Sequence, residues 1–167
     1  MTEQLWAPWR LQYIESSDKY PGCIFCDFPK QNTDAERLIV HRSTYAYIIL
    51  NAFPYSNGHL MIVPFQHTKQ LDTLTDAEML DIMRLNRLGI DLLKAVYHPH
   101  GFNLGVNMGT VAGAGIAEHI HWHIVPRWNG DTNFMPVLAN LRVIPESLEV
   151  CYHRLTEALP ALLETTP

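Results

Sequence analysis

The stretch EHIHWHIVP, residues 118–126, restricts more than any other feature how this chain can fold. It carries a histidine at every second position (His119, His121 and His123), with bulky apolar residues between them. Alternate residues of a β-strand face the same side, so a strand here would point three imidazoles one way and the apolar side chains the other. The stretch therefore predicts a strand with one imidazole face and one apolar face.

Patterns along the rest of the chain predict an α+β fold. Short apolar, β-branched or aromatic runs indicate further strands at RLIVHR, Tyr45–Leu50, His59–Pro64 and Phe102–Met108. A helix is predicted from Asp76 to about Tyr97, where Thr75 and Glu78 can form a capping box, and another from Glu146 to Leu163, cut by Pro160. This order indicates an antiparallel sheet of about five strands with the long helix packed on one face.

Length and charge indicate one domain and exclude some partners. The 167 residues can bury one core, with 1–35 as an irregular arm, 36–145 as the core and 146–167 as the C-terminal helix. The net charge of −5 gives no global basic surface for nucleic acid, although a local pocket for a phosphorylated ligand stays possible. Without an apolar run long enough for a signal peptide or a membrane span, we expect a cytoplasmic protein that binds no membrane.

The three histidines and the cysteines of CIFC leave several interpretations open at this point. The histidines could be satisfied core or surface residues, ligands of one metal ion, or a nucleophile with neighbours that bind an oxyanion. Three in register make the first interpretation weak, because clustered imidazoles depress one another's basicity and give a core nothing it needs. Cys23 and Cys26, in CIFC, are typical of half a metal site or of a redox pair in a reducing compartment.

The sequence resembles the histidine triad (HIT) family of nucleotide hydrolases and transferases. Residues 119–125 fit its pattern of three histidines alternating with hydrophobic residues, and Leu50–His67 is similar to its upstream strand-loop-strand. CIFC also occurs in many members. WAPWRLQYI near the start and PRWNGDTNFMPV after the triad resemble the branch that contains the diadenosine tetraphosphate phosphorylases.

The resemblance implies roles for individual residues. His121 would be the nucleophile on an α-phosphorus, with one ring nitrogen held by a backbone carbonyl, and His123 and His119 would complete the catalytic set. Nucleotide contacts are implied for four further residues: Asn51, Asn107, Gly113 and Gly115. Many members carry Gln-Ser or Gln-Thr just before the triad, whereas this chain has Gly115-Ile116, which removes a side-chain donor to the leaving group.

A structural zinc ion is implied as well. Relatives with CIFC complete the site with the histidine of Gly-His and the first triad histidine, which gives Cys23, Cys26, His59 and His119 here. Zinc would then attach the N-terminal arm to the strand that holds His121. The alternative is two reduced cysteines packed as small apolar residues.

The implied activity is cleavage of a dinucleoside polyphosphate at the α-phosphorus through a nucleotidyl-histidine, with orthophosphate as the expected acceptor. Three alternatives stay open: a phosphoramidate or polyphosphate hydrolase of the HIT type, a low-turnover nucleotide-binding regulatory module, and a zinc-dependent hydrolase that uses the triad as ligands. Relatives pair through the long helix and a sheet edge, and an apolar stripe on residues 79–93 is consistent with such a homodimer.

Overall fold

The fold is built on one antiparallel sheet. The computed structural model describes residues 21–131 and 144–165. Its strands are β1 (Ile39–Arg42), β2 (Ala46–Leu50), β3 (Leu60–Pro64), β4 (Gly101–Val106) and β5 (Trp122–Arg127). They lie in the order β1-β2-β3-β5-β4, so the strand that contains His123 is flanked by β3 and β4. The predicted α+β fold with a five-stranded antiparallel sheet is confirmed.

The helices differ in length and position. The short helices α1 (Ile24–Asp27) and α2 (Asp34–Arg37) precede β1, α3 (Asp76–Tyr97) follows β3, and α4 (Leu148–Thr165) follows β5. Short 3₁₀ turns occupy Phe28–Gln31, Leu71–Thr73 and Thr110–Ala112. The arm predicted to be irregular as far as residue 35 therefore contains helical turns, whereas residues 1–20, with WAPWRLQYI, lie outside the described residues. No helix of the described ranges is long and apolar enough to cross a bilayer.

The ends of α3 lie where the sequence predicts them, because local contacts decide them. The Thr75 hydroxyl accepts from the Glu78 amide at 3.3 Å, and the Glu78 carboxylate accepts from the Thr75 amide at 2.8 Å. The predicted break of α4 at Pro160 is wrong, since the helix continues to Thr165. Leu155 and Leu159 are buried on α4, and this packing outweighs the hydrogen bond that the proline removes.

Each face of the sheet has its own apolar layer. On one face, alternate strand residues such as Ile48, Ile62 and Ile124 pack against α3 and α4. On the other face, Tyr47, Ile49, Met61 and Val63 pack around Phe25 of CIFC. The Tyr47 hydroxyl donates to the Phe25 carbonyl at 2.8 Å, which ties the CIFC segment to the centre of the sheet.

Candidate functional site

The histidine run reaches the sheet later than predicted. β5 begins at Trp122, so the expected strand is wrong for residues 119–121. The Ile120 amide donates to the Thr68 carbonyl at 2.6 Å instead of joining the ladder. The rings of His121 and His123 lie 4.9 Å apart, whereas the ring of His119 faces the two thiols of CIFC. The three imidazoles therefore serve two adjacent sites rather than one.

His121 is fixed in one tautomer. Its Nδ1–H donates to the His119 carbonyl at 2.8 Å, as the resemblance implies, so the lone pair of the neutral ring is on Nε2. Burial lowers the pKa of His121, and the hydrogen bond to the carbonyl opposes this in part. Phe25 packs against the ring with 4.9 Å between centroids. The result is a neutral imidazole with a nucleophilic nitrogen at a fixed place.

His123 is oriented by His59. The Tyr55 amide donates to Nδ1 of His59 at 3.1 Å, so the hydrogen of neutral His59 is on Nε2. This Nε2–H donates to Nδ1 of His123 at 2.9 Å. The remaining nitrogen of His123, Nε2, then carries its hydrogen and acts as a donor. Hydrogen bonds thus give His121 and His123 opposite roles at Nε2, acceptor for the first and donor for the second.

Cys23, Cys26, His67 and His119 form a cluster that could hold a metal ion, since their ligand atoms all lie within 4.8 Å of one another. The thiol of Cys23 lies 3.3 Å from Nδ1 of His119, and the thiol of Cys26 lies 3.3 Å from Nδ1 of His67. The two Nδ1 atoms are 3.3 Å apart. A tetrahedral zinc ion with bonds of about 2.05 Å to nitrogen and about 2.3 Å to sulfur sets about 3.3 Å between nitrogens and about 3.6 Å between nitrogen and sulfur. The observed distances fit that ion.

The surroundings of the cluster also suit a cation. Nε2–H of His119 donates to the Pro64 carbonyl at 2.9 Å, which leaves Nδ1 with a lone pair toward the thiols. Burial lowers the pKa of His119 to about 4, so the ring is neutral. Burial and the neighbouring Cys23 raise the pKa of Cys26 to about 11 without a metal. A bound dication reverses this balance, because it stabilises the thiolates.

The predicted ligand His59 does not lie in this cluster, whereas His67 does. His59 lies at the start of β3, where its two nitrogens contact Tyr55 and His123. His67 follows the other end of β3. β3 and β5 are antiparallel, with Leu60 opposite Ile124 and Ile62 opposite Trp122, so residues before Trp122 lie toward the end of β3. Antiparallel pairing of the predicted strands was therefore the available signal for His67 beside His119.

An apolar cleft opens at His121 and His123. Its walls include Phe25, Ile49 and Met61. Three of the predicted nucleotide-binding residues line this cleft: Asn51, Gly113 and Gly115. Asn51 accepts from the Phe53 amide at 2.9 Å, and its side-chain nitrogen lies 3.2 Å from Nδ1 of His59.

A second cleft begins on the other side of His123. Asn107, the fourth predicted nucleotide-binding residue, lines this cleft rather than the apolar one. Tyr55 and His123 line both clefts, so the two spaces meet at these side chains. The rings of Tyr55 and His59 stack with 4.7 Å between centroids. The part of PRWNGDTNFMPV beyond Asp131 lies outside the described residues.

Comparison with known proteins assigns this chain to a protein family. The HIT domain model matches residues 32–130. The AP-4-A phosphorylase of Mycobacterium tuberculosis is 41% identical over 154 residues, covering 87% of this chain and 78% of that protein. An adenosine 5'-monophosphoramidase of Schizosaccharomyces pombe is 27% identical over 128 residues, covering 77% of this chain and 91% of that protein. A zinc-bound histidine triad family protein from Mycobacterium smegmatis has a similar structure, with a TM-score of 0.70 and 25% identity over 87% of this chain and 98% of its own.

The chain belongs to the HIT domain family. The predicted recognition of this family, and of an enzyme within it, is thereby confirmed.

Proposed function

We propose that this protein cleaves dinucleoside polyphosphates, such as diadenosine tetraphosphate, at the α-phosphorus by transferring the nucleotide to His121. The observation that carries the proposal is the hydrogen bond from Nδ1 of His121 to the His119 carbonyl, 2.8 Å long, at the end of the apolar cleft. It directs a neutral Nε2 into the cleft. A relative with 41% identity that is named for AP-4-A phosphorolysis supports this substrate class.

In the first step, Nε2 of His121 attacks the α-phosphorus in line with the bond to the bridging oxygen. A nitrogen–phosphorus bond forms, the phosphorus–oxygen bond breaks, and the departing nucleoside polyphosphate takes the electron pair. Positive charge then develops on His121, and the His119 carbonyl that accepts from Nδ1–H stabilises it. Apolar side chains such as Phe25 and Ile49 bind the nucleoside that stays.

His123 would donate from Nε2 to the phosphate or to the departing oxygen, because His59 holds its other nitrogen as an acceptor. His59 acts through His123 and is therefore a positioning residue. In the second step an acceptor displaces His121 from phosphorus. Orthophosphate as acceptor gives ADP and ATP from diadenosine tetraphosphate, whereas water gives AMP and ATP.

The cluster of Cys23, Cys26, His67 and His119 would hold zinc as a structural ion. When bound, zinc would supply a rigid cross-link between CIFC and the residue whose carbonyl orients His121. A zinc-bound structural relative supports this part of the proposal. The homodimer, the orthophosphate acceptor and the cytoplasmic location stay predictions.

The test combines product analysis with capture of the intermediate. We expect ADP and ATP from diadenosine tetraphosphate only when orthophosphate is present, and a denaturant-trapped, acid-labile nucleotidyl adduct on His121. With a chiral α-phosphorothioate, two inverting steps give net retention at phosphorus. Net inversion, or turnover at the wild-type rate by His121→Asn, contradicts the nucleophile. In that variant we expect nucleotide affinity within about tenfold of wild type, because the nucleophile acts mainly in the transition state.

Adenosine phosphoramidate is the substrate that tests the second candidate, which the phosphoramidase relative favours. It presents the same α-phosphorus with a small leaving group. Turnover of phosphoramidate far above that of diadenosine tetraphosphate supports the phosphoramidase. Tight nucleotide binding with no turnover of either compound supports the regulatory module.

A further inference from the structure

The second cleft lies on the same face of the sheet as the reacting histidines. Its lining includes six residues that matter here: Tyr55, Asn103, Gly105, Asn107, His123 and Arg127. We propose that this cleft binds the nucleoside of the departing nucleotide, so that one dinucleoside polyphosphate spans both clefts across His123. The inference rests on the proposed function and specifies where its leaving group goes.

In-line displacement sets the direction in which the substrate extends. The leaving oxygen must lie opposite Nε2 of His121 across the α-phosphorus. His121 lines only the first cleft of the two, whereas His123 lines both. A substrate that starts in the apolar cleft and passes its phosphates along the donor nitrogen of His123 therefore continues toward the second cleft.

The chemistry of the second cleft fits a base and a sugar better than a free phosphate. Amide side chains of Asn103 and Asn107 and the ring of Tyr55 line it. Such groups bind the polar edges and the flat faces of bases. Its cation, Arg127, is already paired with Asp131 at 2.5 Å and bonded to Asn103 at 2.9 Å. Because Asp131 offsets the charge of Arg127, the cleft has less positive charge available to bind a small anion such as phosphate.

Gly105 supplies an independent observation. It lies inside β4, directly opposite His123 in the ladder. A glycine weakens a strand and often marks a place where a ligand approaches the backbone closely. A Cβ added here would meet no atom within 4 Å, so packing within the described protein does not require the glycine. The missing side chain leaves room beside His123 on the face that the substrate would cross.

The experiment compares two substrates that differ only in the second nucleoside, diadenosine tetraphosphate and adenosine 5'-tetraphosphate. Both place the same adenosine and the same four phosphates at His121. We expect wild type to prefer the dinucleotide in kcat/KM by at least about tenfold, the scale of one base stacked on a protein. Gly105→Val fills the space beside His123, and we expect it to reduce that preference to less than about threefold.

Gly101→Val is the matched control. Gly101 is the other glycine of β4, and a Cβ there also meets no atom within 4 Å. Gly101 lies four residues from Gly105, roughly 13 Å along the strand, and pairs with Arg127. It does not line the cleft. We expect its substrate preference to equal that of wild type. If Gly105→Val does not fold, Asn103→Ala tests the same space from a side chain.

An equal loss of kcat/KM on both substrates, or an unchanged preference in both Gly105→Val and Asn103→Ala, overturns the inference. A rise in KM for orthophosphate that is the same with both substrates assigns the cleft to the acceptor instead, which also overturns it. If neither substrate leaves an adduct on His121 in the wild-type protein, the proposed function itself has failed.

Discussion

Replacing His67 and His59 separately tests the assignment of the two histidines that flank β3. His67→Ala removes an imidazole whose Nδ1 lies 3.3 Å from both the Cys26 thiol and Nδ1 of His119. His59→Ala removes the donor to His123, whose bond is 2.9 Å long, and leaves all four residues of the cluster in place. The two variants should therefore lose different properties: His67→Ala should lose zinc affinity, and His59→Ala should lose catalytic rate.

The magnitudes follow from what each ring contacts. Loss of a partner that only orients a zinc ligand costs about 10–100-fold in affinity, so loss of one of four ligands in His67→Ala should cost at least about 100-fold. His59→Ala should keep its zinc. Its kcat should fall about 100-fold, the lower end for losing a positioned acid, because the tautomer of His123 is no longer fixed.

The assay is metal analysis of protein purified without chelator, with zinc affinity measured by competition against a chromogenic chelator and kcat measured on diadenosine tetraphosphate. His153→Ala, on the exposed side of α4, is the control and should change none of these values. Loss of zinc from His59→Ala together with full retention by His67→Ala would refute the assignment. It would restore the ligand set that the sequence alone suggested.

Two predictions concern stability and are measured by urea denaturation. Gly89→Ala places a methyl group 2.7 Å from Cδ1 of Ile124, so it should lower the free energy of unfolding by about 1–3 kcal/mol, and adding Ile124→Val should recover part of that loss. Strict additivity of the two changes would contradict the contact. Asp81→Ala leaves the Ser43 hydroxyl and the Tyr45 amide without their acceptor and should cost about 2–3 kcal/mol. A loss below about 0.5 kcal/mol would show that water replaces the carboxylate.

Features set by neighbouring residues could be predicted from the sequence. The capping box at Thr75 and the apolar spacing of α3 involve residues three or four apart, so the helix is right at both ends. The predicted break of α4 at Pro160 is wrong because Leu155 and Leu159 gain from packing that no local pattern around Pro160 reveals. The tautomer of His121 was predictable in kind, since a carbonyl two residues away is within reach of its ring.

The candidate metal ligands show where local reasoning fails. His59 and His67 flank the same strand and both follow the family pattern, so residue type does not distinguish them. The first and last residues of a five-residue strand lie roughly 13 Å apart, which is far more than a metal site spans. Only the pairing of β3 with β5 decides which end meets His119. The predicted nucleotide contacts are divided within one connection as well: Asn107 directly follows β4 and lines the second cleft, whereas Gly113 and Gly115, further along the same connection, line the first.

The spacing of the histidines now has a physical explanation. His119 faces the thiols with its ring and His121 with its carbonyl, so one residue belongs to both sites. A metal that held the ring of His119 would also hold the peptide whose carbonyl sets the tautomer of His121, the proposed nucleophile. Two residues further on, His123 lies on the same face as His121 but takes its proton position from His59. Alternation by two therefore places a candidate metal ligand, the proposed nucleophile and the proposed donor in sequence, each oriented by a different neighbour.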